Sequence, residues 1–229
     1  MTGLIFRCQL FFKKWLSSIY GIVLLVSIPM VAMILYYDFY YEETERLLSL
    51  IFELLAPVWL VLILQWYFSI EFDSGFFTQV VTYPIARYKF LLERFLFAYM
   101  LFFALLGAIT WVLTPILGSI VWKALLYTLP LYFFYGAVML IGLVISKRSL
   151  GALLGGIFLY LQSLIGAPLL GQAFQMIMLK YGSVIYFLEG ETGYSFVDND
   201  FYYYNRLIYI GIGIILVILA LIKFQRKPV

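Results

Sequence analysis

The chain has 229 residues, of which 65% are hydrophobic and 12% charged, and a formal net charge of +3. A mean hydropathy of +1.02 excludes an ordinary soluble domain, because so many apolar side chains cannot all hide in one core, and so small a net charge gives no footing for a nucleic-acid partner. One cysteine, Cys8, and no histidine leave no intrachain disulfide, no cysteine cluster, none of the usual zinc sites and no usual general base.

Residues 5–15 combine Ile5, Phe6, Leu10 and Phe11 with Arg7, Lys13 and Lys14. This is the pattern of an amphipathic N-terminal elbow helix in the inner interface, or of a basic flank that sets topology. The uncharged run 15–37 is 23 residues long, longer than a signal-peptide core and without a small-x-small cleavage site, so it reads as a retained first span. Tyr36, Tyr37, Tyr40 and Tyr41 flank its outer end, and Tyr202, Tyr203 and Tyr204 precede the last span. Rings with a polar tip favour the headgroup zone, so these form an aromatic belt, with a substrate-gathering surface as the alternative.

A charge at the bilayer centre costs about 3 kcal/mol on insertion scales, so uncharged runs locate the remaining spans: 54–70, extended back past Glu53 to give 48–70, then 95–115, 124–146, 149–170 and 207–223, the last taking in Lys223 at its edge. The second contains Glu53 about one turn inside its outer end, where the carboxylate either snorkels to headgroups or faces a cavity and binds a cationic substrate. Gln65 and Gln162 lie deeper, placed to pair across helices or to line a substrate path. Pro115, Gly118 and Ser119 predict a tight turn between spans three and four. Gly151, Gly155 and Gly156 in the fifth span, with Gly211 and Gly213 in the sixth, permit close helix contacts. The last uncharged run, 207–222, is short at roughly 24 Å, and Arg206 and Lys223 at its edges can snorkel to extend it.

Basic residues set the orientation. With the N-terminus inside, the inner segments hold Arg7, Lys13, Lys14, Arg87, Lys89, Arg94, Lys147, Arg148, Lys223, Arg226 and Lys227, leaving Arg46, Lys123, Lys180 and Arg206 outside. The reverse arrangement violates the positive-inside rule. Residues 1–229 therefore read as one transmembrane domain, an all-α integral membrane protein with six transmembrane helices and both termini cytoplasmic.

Two connecting segments are long: an outer one, 171–206, and an inner one, 71–94. The inner one carries Glu71, Gly75, Phe76, Phe77, Tyr83, Pro84, Arg87 and Arg94. Its middle is apolar enough for the interface and too short to span, which suits an amphipathic helix stopped at Pro84. At Glu71, Gly75, Pro84, Arg87 and Arg94 the sequence resembles the permease subunits of ABC transporters of the ABC-2 (type V exporter) class, although Phe76 stands where that family often has threonine. The six-span count, the elbow at 5–15 and the long outer segment fit the same resemblance. It implies that Glu71, Gly75, Phe76, Phe77, Tyr83, Pro84 and Arg87 belong to a cytoplasmic coupling helix between spans two and three, docking on a separate ATP-binding subunit. The alternative for this segment is an ordinary amphipathic helix packed on the protein's own inner face.

No G-x-x-x-x-G-K-[ST] occurs in the chain, so it carries no P-loop of its own. The resemblance puts ATP and Mg on the partner subunit, with no cofactor on this chain, and implies a homodimer or a heterodimer with a second permease, surrounded by membrane lipids. An enzyme is disfavoured: Glu42, Glu43 and Arg46 resemble a diglutamate protease motif only with the arginine one residue too close and the histidines missing. The expectation is a permease subunit that exports a hydrophobic or peptide substrate, such as an antimicrobial peptide, across a bacterial plasma membrane. The alternative is a stand-alone membrane immunity or sensor protein that binds a peptide or lipid without an ATPase.

Overall fold

The computed structural model describes residues 44–73, 87–169, 182–189 and 201–226, with positions 13, 15, 17, 18, 21, 22 and 26. Every element among the described residues is helical. They are α1 (Thr44–Phe68), α2 (Arg87–Leu117), α3 (Ile120–Ser146), α4 (Ser149–Leu169), α5 (Ser183–Glu189) and α6 (Phe201–Arg226). Two π-helical turns interrupt the regular ladder, one inside α1 at Leu50–Leu55 and one just beyond it at Ser69–Asp73.

Four of these helices, α1, α2, α3 and α6, are long and apolar enough to cross a membrane. Helix α4 has 21 residues, about 31 Å of rise, and is apolar from Ser149 to Leu164. The spans expected at 48–70, 95–115, 124–146, 149–170 and 207–223 fall on α1, α2, α3, α4 and α6 in turn. The expected first span, 15–37, and the elbow, 5–15, lie outside the described residues apart from isolated positions, among which Trp15 is buried.

The helices run past the expected ends because a charge bars a residue from the hydrocarbon, not from a helix. Helix α2 starts at Arg87 and α6 at Phe201, which gives the sixth span the length its uncharged run lacked. The turn after α2 also differs from expectation. Pro115 lies inside the helix, where its ring removes one backbone donor without ending the ladder. The reversal falls on Gly118, whose φ of +78° is open to glycine and whose N–H closes the helix on the Thr114 carbonyl (2.8 Å).

Helix α3 is the hub, packing against α1, α2, α4, α5 and α6. Its buried side includes Tyr127, Tyr132, Tyr135, Met139 and Leu143. Outward faces are apolar: on α4 the exposed residues are Leu150, Leu154, Ile157, Phe158, Leu161 and Leu164, a single helical stripe. Helix α6 is the least buried of the four long helices and α1 the most. Apolar stripes of this extent, open to the surroundings, mark a membrane-embedded protein.

A two-residue link, Lys147 and Arg148, joins α3 to α4, with Lys147 in the left-handed region (φ +59°). So short a link forces the two helices together at once. A Cβ on Gly142 would stand 2.5 Å from the Gly151 carbonyl oxygen, and one on Gly151 would stand 2.6 Å from the Gly142 oxygen. The backbones touch, and small residues are what allow it. Of the glycines expected at helix contacts, Gly151, Gly155, Gly156 and Gly213 have close neighbours; Gly211 has none within 4 Å, because it lies on the outward part of α6. Gly142→Ala is expected to lower stability by about 1–3 kcal/mol, the usual cost of overpacking, whereas Gly211→Ala is expected to be neutral or mildly stabilising. Thermal unfolding of the two variants in detergent separates these outcomes.

Candidate functional site

The polar centre of the molecule starts from a proline. Pro57 has no N–H, and its ring crowds the carbonyl four residues back, so the ladder ahead of it widens. The Ala56 N–H reaches to the Ile51 carbonyl, five residues away, the mark of a π turn. In that register the partner of the Phe52 carbonyl is residue 57, the proline. Phe52 would be left with a bare acceptor, and the hydroxyl of Tyr132 on α3 supplies the donor at 2.6 Å. The buried ring of Tyr132 packs edge-on against Phe102 of α2, 5.1 Å between centroids. One missing backbone donor is thereby answered across the contact between α1 and α3.

The same turn carries Glu53, whose residue exposure is only 4%. Its Oε2 accepts from the Ser49 hydroxyl (2.8 Å) and the Gly182 N–H (2.8 Å). Its Oε1 accepts from the Val184 N–H (3.2 Å) and from the Ser183 hydroxyl. Arg206 on α6 completes the set, with its Nη2 3.6 Å from Oε1 and 2.6 Å from Ser183 Oγ, to which it donates. The guanidinium also stands 4.2 Å over the ring of Tyr127, which stacks in turn on Phe187 of α5, 4.2 Å apart and 10° from parallel. Four helices, α1, α3, α5 and α6, thus meet at one ion pair.

Taking two charges out of water is expensive, and the pair is tolerable only with this many hydrogen bonds around it. Bonds from neutral donors to a carboxylate are short and strong, and the cation–π contact adds to the arginine side. Arg206, expected at an outer edge, is instead turned inward, at 6% exposure. The span rule truncated the helix at its first charge and so left Arg206 outside it. The sequence pattern gives no signal for Ser183 or Tyr127, whereas Ser49, one turn before an intramembrane carboxylate, is readable as its partner.

A second polar layer lies at the other end of α1, around Asp73, which is twenty residues and about 30 Å of helical rise beyond Glu53. Asp73, in the second π turn, accepts from the N–H of Ser149 (3.1 Å) and from its hydroxyl. Ser149 opens α4, so Asp73 caps that helix from another segment, meeting an otherwise orphan N–H and the positive end of the dipole. Gln65 donates to the same Ser149 hydroxyl (3.0 Å). Nearby, Arg94 of α2 donates to the Tyr67 hydroxyl of α1 (2.8 Å) and lies 4.8 Å over the Phe90 ring.

Of the residues expected on a substrate path, Glu53 is therefore held in the first layer and Gln65 in the second, while Gln162 is half-buried on α4. The three do not form one cluster. Of those expected in a coupling helix, Glu71 lies in the π turn after α1 and Arg87 is the first residue of α2. Gly75, Phe76, Phe77, Tyr83 and Pro84 lie outside the described residues.

No family model, curated protein or solved structure matches the chain. The residues themselves carry the functional reading.

Tyr132→Phe is expected to cost about 1–3 kcal/mol by stranding the Phe52 carbonyl. Adding Pro57→Ala restores a backbone donor to the turn, so the double variant is expected to be more stable than Tyr132→Phe alone. Thermal unfolding of both singles and the double measures that coupling.

Proposed function

We propose that the chain is the membrane-spanning permease subunit of an ATP-driven, ABC-2-like transporter in a bacterial plasma membrane, exporting a hydrophobic or peptide cargo such as an antimicrobial peptide. The observation that carries this reading is the joint between α1 and α2. Glu71 rides on the helical end of α1, Arg87 opens α2, and the residues shared with the family, including Gly75 and Pro84, fall between two long apolar helices. On this reading 15–37, α1, α2, α3, α4 and α6 are the six spans, both termini are cytoplasmic, and the joint faces the cytoplasm.

The mechanical connections around the joint suit a coupling role. Asp73 ties the end of α1 to the first turn of α4, and Arg94 ties α2 to Tyr67 of α1. A push on 71–94 from a nucleotide-driven partner would move α1, α2 and α4 together. That partner supplies ATP and Mg; a second permease copy, identical or related, encloses the path. The exposed apolar faces of α2 and α6 then meet lipid or that second permease.

Purification of the tagged chain from its native membrane in mild detergent is expected to bring a P-loop ATPase with it, and Phe77→Asp is expected to lose that ATPase without changing the melting temperature. A chain that purifies alone and retains its full cellular effect without any ATPase would instead be a stand-alone immunity or sensor protein. Orientation is tested separately in a Cys8→Ser background. With an impermeant maleimide on intact cells, Ser119→Cys is expected to label, and Lys147→Cys only after permeabilisation; the opposite pattern inverts the topology.

A further inference from the structure

Helix α5 has seven residues, well below the about 12–15 at which an isolated helix becomes even marginal in water. Its place must come from what it touches. The residues at its start, Gly182, Ser183 and Val184, are buried, and the same three bond to the Glu53 carboxylate. From 185 to 188 the helix is only half-buried, with Phe187 resting on Tyr127. The contacts that join the long helices, such as Gly142 with Gly151 and Tyr132 with Phe52, do not pass through α5.

We propose that Glu53, Ser183 and Arg206 form a clasp that docks α5 on the end of the bundle, and that α5 comes away as a unit when the clasp opens while the long helices keep their packing. Ser183 Oγ is the pin: it donates to Glu53 and accepts from Arg206. Both charges also have partners that do not depend on α5. Glu53 keeps the Ser49 hydroxyl, one turn before it on α1. Arg206 keeps the Tyr127 ring and the Asn205 side-chain oxygen (3.5 Å), and the two charges stand 3.6 Å from each other. The open form therefore leaves neither charge bare, which is the condition for two discrete arrangements of one element. This inference does not depend on what the chain transports or on which way it faces.

The test uses purified protein in nanodiscs, where both membrane faces meet solvent, in a Cys8→Ser background. Val184 and Ala137 are both fully buried, the first on α5 and the second in the α3 core, so Val184→Cys and Ala137→Cys report on the two units through their rate of reaction with a water-soluble maleimide. Adding Glu53→Gln or Ser183→Ala is expected to accelerate labelling at 184 about tenfold or more, the factor given by losing one charge-assisted hydrogen bond, with no change at 137. Hydrogen exchange of amides 183–189 in the Glu53→Gln chain reads the same opening without a reporter cysteine, and it decides the matter if Val184→Cys does not fold. An unchanged rate at 184 with both variants means that apolar packing holds α5, and overturns the clasp. Acceleration at 184 and 137 together overturns it too, because the cluster would then be holding the whole bundle.

Discussion

A carboxylate and a guanidinium buried side by side in an apolar bundle dictate much of what surrounds them. Glu53 cannot stand without donors, and it draws them from α1, from the start of α5 and from α6; Arg206 in turn needs the Tyr127 face on α3. Within a bilayer, apolar side chains gain little from one another that lipid tails do not also offer. Polar contacts and close backbone approaches must then decide which helices meet. The structure has both, with polar layers near the two ends of α1 and glycine contacts between α3 and α4.

This division of labour explains what the sequence made legible. Uncharged runs located five helices close to their observed positions, because the cost of a charge in hydrocarbon is a strong and simple rule. The same rule failed at the ends. Arg206 falls outside the uncharged run because a charge closes it, whereas a paired arginine can continue inside a helix. Four of the five glycines expected at contacts are in contact, since small residues in apolar helices have few other uses. The identity of the partners was not legible: Asp73 and Ser149 are seventy-six positions apart, and nothing local in either segment announces the other. Glu53 could be read as unusual from its position alone, but its surroundings could not.

The two layers also differ in kind. Around Glu53 the partners are hydroxyls, amides and one arginine, nearly all buried, so the carboxylate is held from several helices at once. Around Asp73 the carboxylate is exposed, and its work is to complete a helix start that would otherwise lack an acceptor. One end of α1 is thus built to resist solvent and the other to meet it. At the exposed end α2 and α4 are attached to the helix, while at the far end the same helix is bound to α5 and α6.

Pro57 has an effect larger than one lost hydrogen bond. A residue inserted into an α-helix turns everything beyond it by about 100° relative to everything before it. Upstream of the proline, α1 therefore aims Glu53 at α5 and α6; downstream it aims Gln65 at the start of α4. The wide turn ahead of the proline sets the phase between the two halves of the helix, so that a single rod addresses different neighbours at its two ends. Straightening that turn would leave every residue in α1 chemically unchanged and point half of them at the wrong helices.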